Sequence, residues 1–444
     1  MKIGIGIFTA PEAGGAYQYT RSVIQAAALL MKKEDGQFDF CCYSLYDMWE
    51  PICRNIGVPY KRLIETKFQK GLYHMGHVLG QLGGTNSGLY NTGFYKFHPI
   101  WKAYVEDGLD AVFITSPSWY GKPCGAKLIM PIFDVMHRYI DFPEIGEGKI
   151  GQERDRRYTS ICKGADVILA DSKLGVMQIV SSYGNAYDGL IRKVYDLPFI
   201  VPDYVDEYIK KNVEICAAVG VQAASDAKNN SGAKEASDGK KTRLAAEITR
   251  KLPKKYILYP AQFWKHKNHV GLIKAAGELK KKGILVNLVF TGSGKNAQDD
   301  IDAAIEDTGL VGQITNLGYV TDEELVELYK GARAMMFASF GGPTNIPPLE
   351  AMALGCPVAV SDNFAMPGQL DGAGLIFNPE SVSDIADAMR RLWCDDVLCE
   401  NLREKGLTRN RQWTVKEFAA RLEEVLQAAF AQQTGDVSDT CQRR

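Results

Sequence analysis

The 444-residue sequence lacks the marks of several large protein classes. No stretch approaches the ~18–20 consecutive apolar residues that cross a bilayer. The apolar stretch Ile3 to Ala10 follows one lysine and is cut short by Pro11, Glu12 and the pair Gly14 and Gly15. Neither end therefore reads as a signal peptide, and a membrane role is restricted to peripheral association. Charge of one sign is not in excess either. Lys and Arg number 52 against 53 Asp and Glu, a formal net charge of -1, which provides no general basic field for nucleic acid or an anionic membrane. The ten cysteines contain no CxxC pair and the six histidines no HExxH arrangement, so no metal site is expected. Scattered in this way, the cysteines read as buried, reduced thiols of a cytoplasmic protein. Gly292, Ser293, Gly294 and Lys295 lack the GxxxxGK[ST] spacing, which argues against P-loop chemistry.

What is present is a globular composition, with 46% hydrophobic and 24% charged residues, in a chain too long for one ordinary core. The order of elements is that of open α/β sheets. Lys2 to Phe8 reads as a strand, Thr9 to Gly15 as a glycine turn, and Tyr19 to Met31 as a helix. Further strands are expected at 38–43, 111–115, 127–133 and 167–169. Gly71 to Gly93 yields no assignment. Cys216 to Lys240 is rich in Ala, Ser, Asn, Gly and Lys with almost no apolar anchor, the composition of an exposed, mobile insertion. Strands and helices then alternate again, with strands at 256–259, 285–291, 314–317, 334–338 and 357–361. Helices fall at 270–279, 297–306, 322–330, 348–354, 383–393 and 415–431. The expected organisation is a first lobe over 1–205, a connector over 206–250 and a second lobe over 251–395. C-terminal helices over 396–431 and a disordered tail over 432–444 complete it. Ligands of such sheets bind outside the carboxyl ends of the strands, so a cleft between two facing lobes is the expected site.

Three strand-end loops could carry chemistry. Phe340 to Pro357 runs from a strand through Gly342 and Asn345 into a helix, where backbone N–H groups can receive a phosphate or a sugar hydroxyl. Glu350 in that helix would face ribose or sugar hydroxyls, or would merely complement the helix dipole. Lys267, in the basic stretch Phe263 to His269, can neutralise charge on a leaving diphosphate. It can equally be part of a solvated turn. Gly292 opens the third loop.

These stretches, taken together, resemble glycosyltransferase family 4, the retaining enzymes of the GT-B fold. The resemblance is carried by Tyr259 to His269, Gly292 to Gly294, Gly318 to Val320 with Asp322 to Leu325, Pro347 to Met352 and Gly355 to Val358, in the family's order. The first lobe is similar through Gly14 and Gly15, Asp134 to Tyr139, Phe142 to Glu144, and Asp171 with Ser172. The resemblance implies two Rossmann-like lobes facing across a cleft and the transfer of a hexosyl unit from a nucleoside diphosphate sugar to a glycan, lipid-linked glycan or small-molecule acceptor. It implies no cofactor beyond the donor and no metal. By the same resemblance Lys267 binds the donor diphosphate and Glu350 the ribose, while Gly292, Gly318, Tyr319 and Val320 line the nucleoside side. Asn345 and Ile346 present amides to diphosphate or sugar, and Gly14 and Gly15 lie beneath the phosphates. The C-terminal helix is expected to return to the first lobe.

The sequence also departs from that family. Its pattern places two glutamates eight positions apart, and the first falls on Gly342. Asn345 is a polar substitute or a cap for the following helix. A usual arginine reads Gln262, a usual acidic position reads Pro367 and Gly368, and a usual histidine reads Phe133. His137 and Asp134 are the acceptor-side candidates, with His137 equally readable as structural. Arg138, Arg154, Arg156 and Arg157 could receive a phosphate-bearing acceptor or form a salt-bridged surface. These departures keep a second reading open, a non-catalytic subunit that binds nucleotide sugars or carbohydrate.

Overall fold

Parallel strands whose faces are both covered read as unbroken apolar runs, and central strands such as Ala111–Ile114 and Val358–Ser361 have that character. The computed structural model describes residues 1–10, 14–34, 36–69, 71–72, 99–118, 126–146, 148–187, 189–211, 251–342 and 344–431. The expected insertion beyond residue 211 and the expected tail over 432–444 lie outside the described residues, as does most of Gly71 to Gly93.

Among the described residues the first sheet is built from β1 (Lys2–Ile7), β2 (Asp39–Ser44), β3 (Tyr60–Arg62), β4 (Ala111–Ile114), β5 (Lys127–Pro131), β6 (Val167–Ala170) and β7 (Val194–Asp196). All pairings are parallel and the order is β3-β2-β1-β4-β5-β6-β7. In β1, Ile3, Ile5 and Ile7 are fully buried on one face. On the other face Gly4 and Gly6 leave room for larger neighbours. A Cβ on Gly4 would come within 2.5 Å of the Leu109 side chain, and one on Gly6 would strike the Tyr104 hydroxyl.

The second sheet holds β8 (Ile257–Pro260), β9 (Leu288–Thr291), β10 (Ile314–Asn316), β11 (Ala334–Phe337), β12 (Val358–Ser361) and β13 (Leu375–Phe377), again all parallel, in the order β10-β9-β8-β11-β12-β13. The strand order reverses between β1 and β4 in one sheet and between β8 and β11 in the other. At such a switch point neighbouring loops leave in opposite directions and open a crevice for ligand.

The chain divides into two compact units, residues 1–200 with 413–444, and residues 201–412. In the first, the helix Val415–Ala431 packs on the helix Gly15–Met31 through Phe418, Leu422, Val425 and Leu426, which share one core with the isoleucines of β1. Trp413 Nε1 donates to the Pro198 carbonyl at 3.1 Å, Arg421 pairs with Asp196 at 2.7 Å, and Lys33 pairs with Glu423 at 2.5 Å. The second unit starts at Val201, earlier than the sequence suggests. Val201 and Val205 bury themselves against Val326 and Ala353, which anchors a helix over 203–211 to that unit.

Candidate functional site

The loop after β8 is stitched to its surroundings at several points. Phe263 is buried and its N–H bonds to the Ser293 carbonyl at 3.1 Å. After Trp264, Lys265–Lys267 form a single 3-10 turn. Asn268 ends the turn in the left-handed region, at φ 57°, an assignment that short polar side chains tolerate. Its side chain caps the helix His269–Lys281 by accepting from the Gly271 N–H at 3.1 Å and donates to the Pro379 carbonyl at 2.9 Å. The Tyr259 hydroxyl donates to the Lys267 carbonyl at 2.5 Å, and the Phe340 N–H to the His266 carbonyl at 2.8 Å. His269 lies in a cage of Tyr259, Phe263 and Phe290, where burial lowers its pKa to about 3 and keeps the ring neutral.

This bracing fixes Lys267 beside the loop that follows β11. Its ammonium lies 5.0 Å from the centre of the Phe337 ring and 3.4 Å from Asn345 Oδ1. The two residues come together at the β8/β11 switch point. Asn345 is held by its backbone, its N–H bonding to Gln369 Oε1 at 3.1 Å and its carbonyl receiving Gln369 Nε2 at 2.6 Å. Its side chain makes no capping bond to the helix Ile346–Ala353, so the capping alternative is not the one realised. Instead the carboxamide fills the space over Gly342. That glycine has φ 129°, and a Cβ there would lie 2.5 Å from Asn345 Nδ2. The Asn345 side chain and any side chain at 342 therefore exclude one another. Nδ2 itself is buried and has no hydrogen-bond partner.

The helix begins at Ile346, two residues before the expected start at Pro348. Pro347 and Pro348 have no N–H, so of residues 346 to 348 only Ile346 has an amide to offer. One turn on, Glu350 is buried, at 5% exposure. It accepts hydrogen bonds from the Tyr204 hydroxyl at 2.5 Å and the Tyr329 hydroxyl at 2.7 Å. Burial raises its pKa to about 7; the phenols pull down, and Asp322 adds a small push upward.

On the neighbouring strand ends, the Gly292 N–H bonds to the Gly318 carbonyl at 2.8 Å, joining the loops after β9 and β10. Gly292 has φ 137°, and a Cβ there would collide with the Ala261 carbonyl. Gly318 has φ 66° and its N–H is received by Asn316 Oδ1 at 2.9 Å. Tyr319 is 83% exposed, while Val320 packs on the core of the second unit.

In the first unit Gly14, at φ 56°, and Gly15 are exposed at the start of the helix that follows β1. Asp134 and His137 lie elsewhere in that unit, Asp134 in an ion pair and His137 in a hydrogen-bonded group. Arg154 bonds both carboxylate oxygens of Asp134 at 2.7 Å, and Asp134 also accepts from the Met136 N–H at 3.1 Å. The His137 side chain is 3% exposed, with Nε2 3.3 Å from both Asp155 Oδ1 and the Tyr183 hydroxyl. Burial, then the charge of Arg154, lowers its pKa. Arg138 completes the group by bonding Asp155 at 2.7 Å. Two of the four arginines considered as phosphate receivers, Arg138 and Arg154, thus form the salt-bridged arrangement.

Sequence reasoning did not find Tyr204, Tyr329 or Gln369. Tyr204 and Glu350 are 146 positions apart, and no local pattern joins them. Gln369 follows Pro367 and Gly368, which carry no acidic group at the family's position. Its side chain serves the Asn345 backbone instead. Among the described residues no group of three or more His, Cys, Asp or Glu could hold a metal ion, and no helix is long and apolar enough to cross a membrane.

Residues 240–409 match the family model described as glycosyl transferases group 1. The O-antigen chain mannosyltransferase B of Escherichia coli is 31% identical over 160 residues, covering 36% of this chain and 42% of that protein. The chain thus spans less than half the length of the curated relatives it matches first. Among solved structures, sucrose-phosphate synthase from Thermosynechococcus elongatus is similar with a TM-score of 0.63 and 14% identity, over 97% of this chain and 100% of that one. Anabaena HepE in complex with UDP has a TM-score of 0.60 and 13% identity, over 96% of this chain and 100% of that one. The fold is of the GT-B class, two α/β lobes, and the second unit is related to the group 1 glycosyl transferases.

Proposed function

We propose that this protein is a retaining glycosyltransferase that moves a hexosyl unit from a nucleoside diphosphate sugar to an acceptor hydroxyl, in glycan or polysaccharide synthesis on the cytoplasmic side. The observation that carries the reading is the meeting of Lys267 and Asn345 at the switch point of the second sheet. Negative charge grows on the diphosphate as the sugar leaves, and a braced ammonium beside a helix start stabilises it where it forms. Glu350, one turn along, supplies a carboxylate for ribose hydroxyls. Gly292, Gly318, Tyr319 and Val320 form the nucleoside wall, and Ile346 offers an amide. Gly14 and Gly15 remain the proposed phosphate contacts from the first unit, and Asp134, through its ion pair with Arg154, and His137, through its hydrogen bonds to Asp155 and Tyr183, are proposed to shape the acceptor side. The acceptor oxygen loses its proton to the departing phosphate, as the family resemblance implies.

Mannosyl transfer is the favoured case, with rhamnosyl next, because the Escherichia coli relative is named a mannosyltransferase; the HepE structure, which holds UDP, keeps the uridine series in view. The test is a donor screen with the purified protein by mass spectrometry, offering UDP-, GDP- and dTDP-linked hexoses with glycan and lipid-linked acceptors. Transfer from one donor, reduced ~10²–10³-fold in kcat by Lys267→Ala, is the expected result. The missing carboxylate at Gly342 favours a second reading, a nucleotide-sugar-binding subunit without turnover. Tight donor binding with no transfer or hydrolysis would select it, and binding that survives Lys267→Ala unchanged would sink the assignment of Lys267.

A further inference from the structure

Both oxygens of Glu350 are already occupied, and their two partners are held very differently. Tyr329 donates to Oε2 and Tyr204 to Oε1. Tyr329 is 1% exposed on the helix Asp322–Gly331, inside the core of the second unit. Its ring cannot leave without opening that core. Tyr204 is half-buried on the helix over 203–211, and its neighbours Val201 and Val205 carry the anchoring contacts with Val326 and Ala353. Rotation of Tyr204 breaks one hydrogen bond and gives up the ring's own packing against that cluster, while the buried contacts of Val201 and Val205 stay in place. A buried carboxylate must keep its oxygens hydrogen-bonded, and a ribose hydroxyl is the same kind of donor as a phenol.

We propose that on donor binding Tyr204 yields Glu350 Oε1 to a nucleoside hydroxyl while Tyr329 stays on Oε2. Tyr329 is then a positioning residue, and Tyr204 is a competitor that fills the site when it is empty. The proposal rests on the reading of Glu350 as a donor contact. It has a consequence that simple support of the carboxylate by both tyrosines lacks, because a ligand gains only from its differential interaction with the two states. Removing the Tyr204 hydroxyl weakens the empty state alone, so the donor binds more tightly. Removing the Tyr329 hydroxyl leaves Oε2 unsatisfied in both states and loosens the carboxylate, so the donor binds more weakly.

The experiment titrates UDP, GDP and dTDP into the full-length protein by calorimetry and carries the tightest binder through Tyr204→Phe, Tyr329→Phe and Glu350→Gln. Tyr204→Phe is expected to lower Kd about three- to tenfold, the worth of one competing hydrogen bond, and Tyr329→Phe to raise it by a similar factor. Shifts of the same sign, or no shift for Tyr204→Phe, overturn the competition. Absence of binding by the wild type, or a Glu350→Gln variant that binds as the wild type does, overturns the donor reading of Glu350 itself. Thermal melts verify that each variant is folded. Should Tyr204→Phe not fold, hydrogen exchange of the wild-type segment 201–211 decides. Exchange rises on saturation with the nucleoside diphosphate if Tyr204 is released, and unchanged or slower exchange overturns the idea.

Discussion

Burial pushes Glu350 towards its protonated form, and that shift has a measurable sign. Its pKa rises from 4.5 to about 7 on folding because burial penalises the charged form more than two phenols relieve it. Between those values the folded protein binds more protons than the unfolded chain, so stability falls as pH rises through that window, by about 3 kcal/mol in all. His269 works the other way: with a folded pKa of about 3, its contribution is full above pH 6.5 and is lost as pH falls. The wild-type profile mixes the two, but comparison with Glu350→Gln separates them. The variant is expected to lose the decline between pH 4.5 and about 7 in denaturant titrations, while its acid limb persists. Identical slopes above pH 5 would show that Glu350 does not titrate in that window. At this scale the sequence was informative where chemistry is local. The strand-end positions of Lys267 and Glu350 follow from the sequence and their donor roles are implied by the family resemblance, whereas the tyrosines that hold Glu350 leave no local pattern, since those contacts are made by tertiary packing.

Elements were more legible than residues, for a physical reason. Buried parallel strands such as Ala334–Phe337 and Val358–Ser361 are short unbroken apolar runs, and their positions follow from composition alone. Elements held by few side chains were not assigned. The helix Trp49–Ile56 buries only Trp49 and Cys53, and the edge strand Leu375–Phe377 has three residues. The loop between β11 and its helix shows the opposite case, in which sequence marks a departure and structure supplies its meaning. Gly342 reads as a missing glutamate, yet the loop has closed over the vacancy with Asn345. Gly342→Ala is expected to cost about 2–3 kcal/mol, since alanine must adopt φ 129° and displace the Asn345 amide. Adding Asn345→Ala should recover the part due to overlap and leave the backbone part. A double-mutant cycle by chemical denaturation reads the coupling directly, and additivity would show that the two sites do not share that space.

At the scale of the whole molecule the first unit is discontinuous in sequence, and the second lies between its two parts along the chain. The second unit lies within 201–412, and the first takes in the helix Val415–Ala431 that follows it. The helix Val415–Ala431 is amphipathic in sequence, and what its apolar stripe covers is now defined. Phe418, Leu422 and Leu426 are fully buried, and Val425 nearly so, in the same core as Ile3, Ile5 and Ile7. Each large side chain so buried is worth about 1.5–3 kcal/mol. Four of them together rival the ~5–15 kcal/mol that keeps an ordinary domain folded. A chain ending at Gln412 is therefore expected to lose the first unit and keep the second. Limited proteolysis with mass-spectrometric mapping should find cleavage throughout 1–200 and protection across 251–412, with the Lys267 and Asn345 corner intact. The single change Phe418→Ala, at about 3–5 kcal/mol, should move the first unit's melting in the same direction without touching the second. Equal protection of 1–200 in the full and shortened chains would mean that the sheet of the first unit holds without its returning helix, and that the returning segment serves some purpose other than stability.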